Sequence, residues 1–70
     1  MKISLKLEYK EKVYESDVGE INESQYKETV KLIEQIASGK VGYFSFHNKG
    51  VEYYFPEDII KQSIITIIKH

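Results

Sequence analysis

The segment from Asn22 to Gly39 constrains the fold of this chain more than any other stretch. Asn22 can accept a backbone N–H through its side-chain oxygen. Gln25, three residues on, can return a bond to the Asn22 backbone, the pattern of a capping box. Ile21 and Tyr26 stand at the two positions of a hydrophobic staple around that cap. Tyr26, Val30, Ile33 and Ala37 then recur at spacings of four, three and four, with Leu32 and Ile36 beside them. That spacing makes one apolar helical face. Gly39 predicts a left-handed stop. A helix of about 16 residues reaches ~24 Å, enough to cross a small sheet. Its other side carries Glu23, Lys27, Glu28, Lys31, Glu34 and Gln35 and reads as a solvated face.

The flanking segments read as strands. Ile3, Leu5, Leu7 and Tyr9 alternate with Lys2, Ser4, Lys6 and Glu8, the mark of a half-buried strand. A second strand over 12–18 would pair Leu7 with Tyr14, Lys6 with Glu15 and Ile3 with Val18. Its turn, Lys10-Glu11, is poor chemistry for positive φ, so a longer loop or a bulge is an alternative. After Gly39, a four-residue loop at 47–50 ending in Gly50 predicts a hairpin that pairs Phe46 with Val51 and Phe44 with Tyr53. In that register Phe44, Phe46, Val51, Tyr53 and Phe55 share the face toward the helix, and Tyr43, Ser45, Glu52 and Tyr54 share the other. Pro56-Glu57-Asp58 opens a helical turn over about 56–61. Ile60, Ile64, Ile67 and Ile68 fit a helical face. The unbroken β-branched run from Ile64 to Ile68 favours a strand over about 63–69. Apolar on both sides, such a strand belongs in a sheet interior.

The expected fold is α+β: an antiparallel or mixed sheet of about five strands with one main helix packed on one face, in the order ββαββ, a short helical turn, then β. Seventy residues make one domain, 1–70. Ordering them opposes folding by ~100 kcal/mol, at ~1.5 kcal/mol each. No cysteine is present to supply a disulfide or a thiolate metal site. One helix can cover only one face, so the other side of the isoleucine strand calls for a second cover.

Composition narrows the function classes. Lysine supplies all 10 basic residues against 11 acids, and arginine is absent, so nucleic acid and acidic membranes are disfavoured. No apolar run approaches the ~20 residues that span a bilayer, and the alternating start is unlike a signal peptide. The expectation is a cytoplasmic protein. The chain is rich in Ile, Lys, Tyr and Glu; Ile, Lys and Tyr, like Asn, have AT-rich codons, which suggests a low-GC bacterium or one of its phages. In a general way the chain resembles the short accessory proteins common in phage genomes.

Little in the sequence suggests catalysis. His47 belongs to a hairpin turn and His70 to a fraying end. Glu57 and Asp58 are explained as acids at a helix start. No nucleophile elbow, phosphate loop or metal-ligand spacing occurs. No enzyme activity, cofactor or metal is expected. The aromatics are more informative, because Tyr43, Phe44, Phe46, Tyr53, Tyr54 and Phe55 crowd into thirteen residues. The expected function is a protein-interaction module that binds another protein or forms a homodimer. Its surface would be the sheet face opposite the helix, with Tyr43, Tyr54, Ile65 and Ile67, or the alternate isoleucines of that strand, as interface candidates. The alternative is a single-stranded nucleic-acid binder that stacks bases on the same tyrosines, with Lys40 and Lys49 beside them.

Overall fold

The computed structural model describes all 70 residues. The main helix, α1 (Glu23–Ala37), starts as its sequence predicts. Gln25 N–H donates to Asn22 Oδ1 at 2.8 Å, and Asn22 N–H donates to Gln25 Oε1 at 2.9 Å. Gly39 ends it at φ 77°, a left-handed conformation that needs no Cβ. The inward stripe differs slightly from expectation. Ile36 is buried and Tyr26, Val30 and Ile33 are half-buried, whereas Leu32 and Ala37 are exposed.

Six strands form two antiparallel sheets rather than one. β1 (Lys2–Tyr9) is the centre of the larger sheet. β2 (Lys12–Glu15) and the short β3 (Gly19–Glu20) share one of its edges, and β6 (Ile64–Lys69) takes the other. β4 (Tyr43–Asn48) and β5 (Val51–Pro56) form a separate hairpin, followed by a single helical turn, α2 (Glu57–Ile60). β6 is a strand, as its β-branched residues predict, but it lies at an edge and not in the interior.

Three local geometries set the registers. Lys10 takes φ 57°, so the two-residue turn Lys10-Glu11 closes and pairs Leu7 with Tyr14 and Lys6 with Glu15, as predicted. Ile3, however, pairs with Gly19 and not with Val18. One extra residue bulges out between Glu15 and Gly19. The Ser16 hydroxyl accepts the Leu5 N–H at 2.8 Å there, and Asp17 N–H turns away to His47 O at 2.9 Å. In the second hairpin both Lys49 (φ 50°) and Gly50 (φ 80°) are left-handed. That makes a two-residue turn of the twist-matched kind. Phe46 therefore pairs with Tyr53 and Phe44 with Phe55, two residues from the expected register. An even shift leaves every side chain on its expected face.

Lys10 holds a conformation that costs a non-glycine residue roughly 1–2 kcal/mol. Glycine would remove that strain at a backbone-entropy cost of ~0.5–1 kcal/mol. Lys10→Gly is therefore expected to raise stability by roughly 0.5–1 kcal/mol. Paired thermal melts check this, and a lower midpoint would contradict it.

The core lies on one side of the larger sheet. Leu7 on β1 meets Ile36 of α1, Phe44, Phe46 and Phe55 of the β4–β5 hairpin, and Ile60 of α2. Residues opposite one another across an antiparallel pair share a face. Leu5, Leu7 and Tyr9 therefore point inward together with Tyr14, Ile65 and Ile67. The helix and the hairpin lie over this same face. Tyr26 sits beneath Lys69 Nζ, 4.8 Å from its ring centroid, and Ile33 and Ile36 line a small cavity with Ile65. The opposite face carries Ser4, Lys6, Glu8, Val13, Ile64, Thr66 and Ile68; Ser4 is buried there beside His70, whereas the Val13, Ile64 and Thr66 part of the face is uncovered. Val13 is 57% exposed there and Ile64 66%. No helix is long and apolar enough to cross a membrane.

Candidate functional site: a tyrosine-lined groove

The β1–β2 turn and the end of β5 face each other across a groove of about 800 Å³. Both walls follow from the registers above. Tyr9 and Tyr14 come from the first hairpin, the residue just before its turn and the third residue after it. Tyr53, Tyr54 and Phe55 come from β5, whose inner face docks on the first hairpin through Tyr14. The Tyr14 ring lies 5.6 Å from Tyr53 and 5.5 Å from Phe55, with tilted and edge-on geometries that aromatic pairs favour. Pro56 and Ile59 close one end, and Lys10, Glu11 and Lys12 form the rim. Lys10 Nζ lies over the Tyr9 ring at 5.2 Å. Four of the six tyrosines in the chain thus converge on one concave surface.

The predicted interface residues separate in space. Tyr54 is 68% exposed and lines this groove, and Tyr43 is 59% exposed on the same outward face of the hairpin. They are diagonal neighbours, because Tyr54 pairs with Ser45 and Tyr43 with Pro56. Ile65 and Ile67 do not join them. Both point to the covered side of the larger sheet, opposite Leu7 and Leu5, and Ile65 packs against the core. The outward members of β6 are Ile64, Thr66 and Ile68, on the far side of the molecule from the hairpin tyrosines. A single surface that combines Tyr43, Tyr54, Ile65 and Ile67 does not form. The reason is the phase of β6, which pairing with β1 sets and an all-apolar run cannot reveal.

The titratable residues are dispersed. His47 Nδ1 is 3.9 Å from Glu52 Oε2 beside the turn of the β4–β5 hairpin, with both side chains solvated. His70 is not frayed. Its N–H donates to Lys2 O at 2.9 Å, and its Nε2 lies 2.8 Å from Ser4 Oγ. Ser4 is buried and lines neither the groove nor the small helix-side cavity. No three of the His, Asp and Glu side chains come close enough to hold a metal ion. The groove offers hydroxyl groups, aromatic faces and a mixed-charge rim, a lining suited to binding.

Sequence reasoning singled out Tyr54 but missed Tyr9, Tyr14 and the groove itself. The available signal was the pair of tyrosines flanking the first turn together with the Tyr53-Tyr54 doublet. Nothing local says that these two places meet. Comparison with known protein families, with curated proteins and with solved structures finds no match to this chain.

Proposed function

We propose that the chain is a small non-enzymatic protein-interaction module that takes an extended segment of a partner protein into the tyrosine groove. The carrying observation is the convergence of Tyr9, Tyr14, Tyr53 and Tyr54 on one groove of about 800 Å³, within the usual range of roughly 300–1,000 Å³ for a binding cleft. Tyrosine combines a large rigid contact area with a hydrogen-bonding tip and loses few rotamers on binding, which is why it is enriched at binding hot spots.

The free edge of β5 supports an extended occupant. The Lys49-Gly50 turn makes Asn48 and Val51 a hydrogen-bonded pair. By alternation the main-chain groups of Glu52 and Tyr54 point away from β4. They are positioned to bond a partner's backbone while the tyrosines take its side chains. The setting this fits is an accessory protein of a phage or mobile element that binds and modulates a host protein in the cytoplasm.

Site-specific photo-crosslinking in the expressing cell tests the reading. A crosslinker at position 54 is expected to capture one discrete protein, and one at Val13, on the uncovered face, is not. Tyr9→Ala is expected to reduce the captured yield by about 30-fold, equivalent to the ~2 kcal/mol of a hot-spot side chain. High salt is expected to leave the yield nearly unchanged. No captured protein, or capture indifferent to Tyr9→Ala, would overturn the proposal. Capture of nucleic acid that weakens steeply with salt would favour a strand-binding role instead.

A further inference from the structure

We infer that β6 is the seam of a two-fold homodimer, paired antiparallel with β6 of a second copy about Thr66. The phase of the strand comes first. His70 N–H bonds Lys2 O, so the residues whose main-chain groups turn toward β1 are Ile64, Thr66, Ile68 and His70. The N–H and C=O groups of Ile65, Ile67 and Lys69 point to the outer edge. No turn, cap or side-chain hydrogen bond reaches them, and β6 has no strand neighbour except β1. An edge of this length is a template for another strand, and natural sheets usually blunt it with charge, proline or a bulge. Here the single charge is at the end, on Lys69, and proline is absent.

The sequence of the edge identifies its occupant. Ile64-Ile65-Thr66-Ile67-Ile68 reads the same in both directions. A two-fold interface brings residue i against j and j against i, so a palindromic strand suits it without compromise. Centred on Thr66, the pairing sets Ile65 against Ile67 of the second copy, a hydrogen-bonded pair that uses the outward main-chain groups. It also sets Ile64 against Ile68 of the second copy on the uncovered face, and so shields the most exposed isoleucine. Thr66 meets its own counterpart. Lys69 falls opposite Ser63 of the second copy and meets no like charge. This inference is independent of the groove. β6 and β2 lie on opposite edges of β1, so a dimer through β6 leaves both grooves open.

Sedimentation of the full chain across a concentration series, with three variants, tests it. The native chain is expected to run at twice 8.2 kDa. Thr66→Lys brings like charges together on the axis, and Thr66 is exposed, so that variant is expected to be folded and monomeric. Ile67→Pro removes an N–H that β1 does not use, which an edge strand tolerates, and is also expected to give a folded monomer. Thr66→Cys places two thiols at a non-hydrogen-bonded pair, with Cα atoms ~4.5 Å apart, within disulfide range. It is expected to oxidise to a covalent dimer, whereas Glu28→Cys on the helix exterior is not. A native chain that stays monomeric overturns the inference, including one whose β6 takes up a foreign strand. So does a dimer that survives both Thr66→Lys and Ile67→Pro.

Discussion

Leu7→Ala is expected to remove about 3–5 kcal/mol of stability, the upper part of the range for a large-to-small core substitution. Leu7 is the one large side chain with 0% exposure. It stands at the middle of the central strand, between Tyr14 on β2 and Ile65 on β6, and under residues from α1, both strands of the second hairpin and α2. Every element of the core therefore loses contact at once, and a cavity there cannot collapse without moving a whole layer. A domain of this length has roughly 3.5–10 kcal/mol in total, taking 0.05–0.15 kcal/mol per residue. The variant is expected to be largely unfolded on warming, and urea titration reads the loss directly. Val13→Ala on the uncovered face is expected to change stability by no more than about 0.5 kcal/mol. A Leu7→Ala loss below that of Val13→Ala would mean that the core lies elsewhere.

The second large effect separates two adjacent residues. Phe55→Ala is expected to cost about 3–5 kcal/mol, and Tyr54→Ala less than about 0.5 kcal/mol. Phe55 is buried among Phe44, Phe46, Tyr53 and Tyr14, with its ring centroid 5.1 Å from Phe46 and 5.5 Å from Tyr14. Tyr54 lies on the opposite, outward face of β5, 68% exposed, and lines the groove. The pair thus tests the facing of β5 and the division of labour in the aromatic cluster, with Phe55 holding the hairpin to the sheet and Tyr54 free for a partner. Denaturant midpoints of the two variants check it. Equal losses would place both rings in the core and remove the most exposed wall of the groove.

Much of this architecture was legible in local chemistry. The Asn22–Gln25 cap, the Gly39 stop, the alternation of β1 and the β-branched run of β6 each carry their own signal. The turns were harder. Lys49 and Lys10 both accept left-handed φ because the strands they join pair well on either side, so tertiary pairing outweighs a local preference of ~1–2 kcal/mol. The bulge after Glu15 rests on the Ser16 hydroxyl standing in for a backbone acceptor, which a serine in a strand does not announce. The facing of Ile65 and Ile67 was not legible because β6 has no polar alternation. The groove was hidden because its walls come from residues 9–14 and 53–59, and only the docking of one hairpin on the other unites them. That docking also explains why the aromatic crowding between Tyr43 and Phe55 divides into a buried set and an exposed set.

Contacts among the aromatic rings test the central claim most directly, since the groove exists only if the β4–β5 hairpin lies on Tyr14. Ring-to-ring nuclear Overhauser effects in the free protein report this without knowledge of any partner. Cross-peaks are predicted between Tyr14 and both Tyr53 and Phe55, at centroid separations of 5.6 and 5.5 Å. Their absence, with Tyr14 contacting Val13-side or helix residues instead, would contradict the groove and the function proposed for it.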